Sequence, residues 1–216
     1  MFNIRELGTV DYQETWNNML EFTLQRTPDT VDEIWLLEHH PVYTLGQAGK
    51  HEHIFHRGQI PIVQSDRGGQ VTYHGPGQLI AYFLLDCKKN DIGIRQLVDG
   101  IENLTIDILK AFNIDAEKQC GAPGVYVQQK KIASLGLRIK NNCSYHGLAI
   151  NVDMDLSPFR DINPCGYKQL EMTQTCAIIP KANMLNIKQQ FKKSLMNFVY
   201  QDKLFKPKEP ITQCSS

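Results

Sequence analysis

Cys165 lies in the run Asp155-Leu-Ser-Pro-Phe-Arg-Asp-Ile-Asn-Pro-Cys-Gly166, between a proline and a glycine. Both neighbours are turn formers, and the surroundings are polar, unlike the apolar packing in which most unpaired cysteines act as small hydrophobes. A thiolate attacks thioester carbonyls well, and a neighbouring cation makes it more available by lowering the thiol pKa. The adjacent lysines Lys130 and Lys131 could supply that cation. Strand alternation would send them to opposite faces, so that if Ile132 packs inward beside Lys130, Lys131 shares its face with Ala133. Periodicity favours Lys131 only weakly, and two solvated lysines opening a strand is the commoner meaning of such a pair. A lysine beside a thiolate would serve twice, stabilising it as ammonium and accepting a proton as amine.

Two further segments combine glycines with polar side chains, RGGQVTYHGPGQL at 67–79 and KKIASLGLRI at 130–139. Glycines let a ligand approach the backbone, and Thr72, Tyr73 and His74 add polar groups. Neither segment carries GxxxxGK[ST] or GxGxxG, so no phosphate-cradling loop is expected. Ser134-Leu-Gly136 and His146-Gly-Leu-Ala149 read either as strands with packing glycines or as places where backbone N–H groups face a substrate carbonyl. Such donors are worth on the order of 3 kcal/mol to an oxyanion. His39, His40, His51, His53 and His56 lack an acidic partner at metal-ligand spacing and are expected to be solvated. Trp16 and Trp35 are assigned to the core.

The elements that must position these groups follow from periodicity. A helix is predicted from Asp11 to Arg26, led in by Thr9 or Asp11 and closed by Pro28. Strands are predicted at Glu33–Glu38, Val42–Leu45, Ile60–Gln64, Val71–Tyr73 and Leu79–Leu85, the last two bracketing the turn Gly75-Pro-Gly77. Leu97, Val98, Ile101, Leu104, Ile108 and Leu109 place a helix over Ile94–Phe112. Val125–Val152 reads as a three-stranded meander with a turn at Asn141-Asn142, and Leu185–Tyr200 as a final helix. The expected fold is an α/β domain over 1–216, with a mixed, largely antiparallel sheet, helices on one side and a loosely held tail from 203 to 216.

Composition sets the outer bounds. The 216 residues carry 23 basic and 23 acidic side chains, which gives no support for a nucleic-acid surface. The N-terminus lacks the basic and apolar regions of a signal peptide, and no apolar run reaches bilayer length, so a soluble cytoplasmic protein is the expectation. Six scattered cysteines without CxxC are expected to be mostly reduced.

The chain resembles the lipoyl(octanoyl) transferases, also called lipoate–protein ligase B. HHPVYTLG at 39–46, RGGQVTYHGPGQLIAY at 67–82, PGVYV at 123–127, KIASLGLRI at 131–139, SYHGLAINV at 144–152, DLSPF at 155–159 and INPCG at 162–166 carry the resemblance in order and spacing. It implies the fold of the biotin and lipoate protein ligase catalytic domains. It also implies transfer of an octanoyl group from octanoyl–acyl carrier protein to a lysine of the lipoyl domains of 2-oxoacid dehydrogenase complexes and of the glycine cleavage H protein. No cofactor is implied, since the acyl group arrives on the carrier's phosphopantetheine, and no metal. By resemblance, Cys165 is the acyl-thioester cysteine and Lys131 the lysine that lowers its pKa. Arg67, Gly68, Gly69, Gln70, Val71, Thr72, Tyr73, His74, Ser134, Leu135, Gly136, Gly147, Leu148 and Ala149 match the substrate-contacting segments. Tyr126 replaces a tryptophan carried by many members, and either aromatic would line an acyl channel. Three alternatives stand beside this reading: an ATP-dependent ligase of the same fold, a cysteine-dependent amidotransferase between lipoyl domains, and a non-catalytic binding module.

Overall fold

The computed structural model describes residues 2–56, 58–164 and 170–200, the side chain of Tyr200 excepted. The chain opens with β1 (Phe2–Val10), a strand the periodicity did not reveal, and continues into α1 (Tyr12–Leu24). Asp11 caps this helix, its carboxylate accepting the Glu14 N–H at 2.9 Å. Strands β2 (Asp32–His39), β3 (Val42–Leu45), β4 (Ile62–Gln64), β5 (Val71–His74) and β6 (Gln78–Leu84) follow. Then come α2 (Ile94–Lys110), β7 (Glu117–Lys118), β8 (Gly124–Val127), β9 (Lys130–Lys140) and β10 (Cys143–Asn151). A short α3 (Thr175–Ile178) and α4 (Met184–Tyr200) complete the described elements, and the tail from 203 lies outside the described residues.

The main sheet has the order β1-β2-β6-β10-β9-β8-β7, antiparallel throughout except for the parallel β1–β2 pair. Strands β8, β9 and β10 form the expected meander. A smaller sheet, β4-β3-β5, lies beside it.

Helices cover both faces of the main sheet rather than one. Period-two alternation shows why. Ile34 and Leu36 of β2 and Leu79, Ala81 and Phe83 of β6 face Leu97, Ile101 and Leu104 of α2 and Phe191 of α4. The intervening Trp35, Leu37, Ile80, Tyr82 and Leu84 face Met19 of α1. With helices on a single side, that second set would be left in water.

The turn at Gly75-Pro-Gly77 joins no hairpin, since β5 belongs to the small sheet and β6 to the large one. Gly77 has φ +84°, its N–H donates to Glu38 Oε2 at 2.9 Å, and its carbonyl accepts from Val152 and Asp153 at 3.1 and 3.0 Å. A Cβ there would sit 1.9 Å from the Asp153 carbonyl oxygen. Gly77→Ala combines a positive φ with that overlap and should cost at least about 2 kcal/mol. Urea unfolding would show it as a lower midpoint at unchanged slope; a wild-type midpoint would contradict this account of the turn.

Candidate active site

Strand β9 places Lys130 and Lys131 on opposite sides, with opposite fates. Lys130 is exposed and pairs with Glu171 at 2.7 Å, whereas Lys131 is 1% exposed. The Lys131 ammonium donates to the Pro123 carbonyl at 2.8 Å and lies 5.4 Å from the Tyr126 ring centroid. Its backbone is tied into a short parallel pairing, Lys131 N–H to Glu171 O at 2.8 Å and Thr173 N–H to Lys131 O at 2.9 Å. Gly124, at φ +141°, is what lets the side chain lie there. A Cβ at that position would meet Lys131 Cε at 2.4 Å and Nζ at 3.0 Å.

Lys131 opens onto a cavity of about 370 Å³. Of the residues singled out from sequence, Arg67, Gly68, Gly69, Gln70, Val71, Thr72, His74, Ser134, Leu135, Gly136, Gly147, Leu148 and Ala149 also line it. Tyr73 does not. Alternation along β5 turns it away, into a cluster with Tyr43 and Phe159. Tyr126 does not line the cavity either; it is fully buried beside Lys131, its hydroxyl donating to Ala122 O at 3.0 Å. Arg67 shapes the loop. Its guanidinium donates to the carbonyls of Thr44 (2.6 Å), Gln70 (2.7 Å) and Gly68 (2.9 Å) and to Thr44 Oγ1 (2.9 Å). Gly136 and Gly147 are register partners, and Gly147 pairs with Tyr82 on its other side, so its N–H lies in the plane of a three-strand ladder. Cys165 lies outside the described residues.

Sequence reasoning missed part of the lining, Tyr12, Ile80, Tyr82, Ile94, Val98, Gly121–Pro123 and Leu137, whereas His146, from the segment His146-Gly-Leu-Ala149, does line it. Tyr12 and Tyr82 were indistinguishable from core aromatics, because the pattern of apolar positions is the same for a packed ring and a cavity wall. His39, expected in solvent, is fully buried at the end of β2. The parallel β1 strand brings Val10 beside it. His39 Nδ1–H donates to Val10 O at 3.1 Å, which leaves Nε2 to accept the Tyr82 hydroxyl at 2.7 Å. His74 stacks on Tyr12 and bonds Gln78 Oε1 at 2.7 Å, and His146 bonds Asp66 at 2.9 Å. His146 pairs with Leu137, six residues along β9 from Lys131, so the cavity runs about 20 Å along the strand from an amine to an aromatic, histidine-rich end.

Among the described residues, the free cysteines are poor thiolates. Burial pushes Cys87 and Cys176 up to about 11 and raises Cys143 as well. Cys120 is disulfide-bonded.

The family described as the lipoyl protein ligase A/B catalytic domain matches residues 11–203. The chain belongs to this family. It is 54% identical over 201 residues to the octanoyltransferase of Vibrio atlanticus (strain LGP32), covering 93% of this chain and 92% of the relative. It is 61% identical over 175 residues to the octanoyltransferase of Vibrio campbellii (strain ATCC BAA-1116), covering 81% and 80%. Among solved structures, lipoate-protein ligase A bound with ATP superposes with a TM-score of 0.77 at 11% identity, over 92% of this chain and 85% of that one. A biotin protein ligase from Aquifex aeolicus superposes with a TM-score of 0.51 at 14% identity, over 94% and 76%. These two likenesses show the shared fold. The mixed, largely antiparallel α/β architecture read from the sequence is therefore that of the lipoyl and biotin ligases.

The buried histidines make stability pH-dependent. Burial holds His39 down to about 4, His74 well below its ordinary value, and His146 lower too despite the opposing Asp66 bond. The unfolded chain therefore binds more protons as pH falls below about 6.5, and the folded state loses stability from there downward. Between pH 7 and pH 5, His39 alone should account for about 2 kcal/mol, with His74 and His146 adding in the same direction. Urea midpoints that stay flat across that range would rule out neutral, buried imidazoles.

Proposed function

We propose that the chain is an octanoyltransferase, moving an octanoyl group from octanoyl–acyl carrier protein to a lysine of lipoyl domains and of the glycine cleavage H protein. The observation that carries this reading is the buried Lys131 amine on the wall of a cavity, in a chain more than half identical to octanoyltransferases over most of its length.

The reaction proceeds in two thioester-level steps. Cys165 thiolate attacks the carbonyl carbon of the octanoyl thioester. The tetrahedral adduct expels the phosphopantetheine sulfur, which takes its proton from the Lys131 ammonium. The acyl group is now on Cys165 and Lys131 is a neutral amine. The acceptor lysine's amine then attacks, its proton passes to Lys131, and Cys165 leaves as thiolate. An amide has formed, and the starting thiolate–ammonium pair is restored. The thioester supplies the driving force, so no nucleotide is consumed. Burial of the acyl chain is worth about 0.8 kcal/mol per methylene, which makes the anchor strong and length-sensitive.

Peptide-level mass spectrometry after mixing enzyme with octanoyl–acyl carrier protein should show one octanoyl adduct on Cys165, absent from C165A and discharged by an apo lipoyl domain without ATP. Lys131→Met should slow turnover by about 10²- to 10⁴-fold, the usual range for a lost proton-transfer group. Full activity of C165A in the presence of ATP would instead establish an adenylating ligase.

A further inference from the structure

A second charged group is buried on the other side of the Pro123–Gly124 segment. Glu102 lies on the core-facing side of α2 and is only 8% exposed, among leucines and isoleucines. A carboxylate taken out of water costs several kcal/mol unless it is compensated. Here Oε1 accepts the Gly124 N–H at 2.8 Å. Gly124 is the residue whose missing side chain makes room for the Lys131 amine, and its neighbour Pro123 supplies the carbonyl that the amine holds. One helix side chain thus fixes the turn that fixes the lysine.

We propose that Glu102 is a positioning residue for Lys131. It locks the Pro123–Gly124 turn through the Gly124 N–H, and its buried negative charge favours the ammonium form of Lys131. The proposal rests on the role given above to Lys131.

The charged groups around Glu102 come from three elements. Asp99, one turn earlier on α2, repels it; Lys118 of β7 attracts it; Lys131 of β9 attracts it. Lys118 is itself bonded to Asp99, so the two act at Glu102 in opposite directions. Burial holds the Glu102 carboxyl above its ordinary range, opposed by the Gly124 N–H and by both lysines. Among the described residues, the Pro123 carbonyl accepts from the Lys131 ammonium and the Tyr126 ring faces it, and both favour a cation.

The test compares the pH dependence of octanoyl transfer from octanoyl–acyl carrier protein in the wild type, Glu102→Gln, Glu102→Ala and Lys131→Met. Glutamine keeps an oxygen for the Gly124 N–H and removes the charge. With that charge gone, Lys131 loses its proton more readily. The alkaline limb of kcat for Glu102→Gln should move down by about one pH unit, with KM for the carrier protein unchanged. Glu102→Ala should show the same displacement and a further loss of kcat, because the turn is released as well. A wild-type alkaline limb in Glu102→Gln overturns the proposal, even if Glu102→Ala fails to fold. Lys131→Met separates the two readings. If it retains wild-type activity, the lysine has no catalytic role and both readings fall. If it is inactive while Glu102→Gln keeps the wild-type limb, only the role of Glu102 falls.

Discussion

An ammonium group that is 1% exposed must be compensated from within the protein, and the site is organised around that requirement at Lys131. The Pro123 carbonyl accepts a hydrogen bond from it, the Tyr126 ring offers a π face, and Gly124 leaves the space in which the amine lies. Each contact demands a particular register. Tyr126 faces Lys131 only because β8 shifts register against β9 between Val125 and Tyr126. The backbone of Lys131 is held by Glu171 and Thr173, so the 171–173 segment is anchored at this lysine. A less tightly held strand would let the amine reach water, and a solvated lysine keeps its mobility.

The rest of the cavity is shaped by strands that are apolar on both faces. Because β2 and β6 bury both faces, α1 must cover the side opposite α2 and α4, and α1 brings Tyr12 onto the cavity wall. The polar atoms at that end are mostly turned toward one another: Tyr12 to Ser65, Tyr82 to His39, His74 to Gln78 and His146 to Asp66. What remains facing the cavity is largely ring surface, which suits an alkyl chain better than a charged ligand does.

Much of this was legible in the sequence where a single periodicity dominated. The apolar spacing of Leu97, Ile101, Leu104 and Ile108 gave α2 to within two residues at its end, and the turn residues Asn141 and Asn142, both at positive φ, marked the β9–β10 hairpin. What failed was whatever depended on long-range pairing. Strand β1, FNIRELGTV, alternates imperfectly because its register shifts between Glu6 and Gly8 and because it is an edge strand with only β2 as neighbour. Strands β5 and β6 look like a hairpin in one dimension and belong to different sheets in three. Tyr73 sits in the glycine-rich motif but points to the other side of β5, a distinction of one residue that a motif cannot make. The disulfide at Cys120 had no local signal at all.

Buried polar residues from both sheets tie these parts together. His74, buried and neutral, donates from Nδ1 to Gln78 Oε1. That orients the Gln78 amide so its N–H reaches Asn151 Oδ1 at 2.9 Å. Asn151 in turn donates to Thr173 O at 2.9 Å, and the Thr173 N–H reaches Lys131 O. Gln78, Asn151 and His74 are all at most 6% exposed, so any one left unpaired would carry a desolvation cost of about 1–3 kcal/mol. A slip of one residue between β6 and β10 would separate Gln78 from Asn151 and leave the whole chain of bonds unmade. Apolar replacements could pack as well, yet they would not distinguish one register from the next. The network fixes the alignment of β5, β6, β10 and the 171–173 segment, and with it the position of Lys131 relative to the cavity it serves.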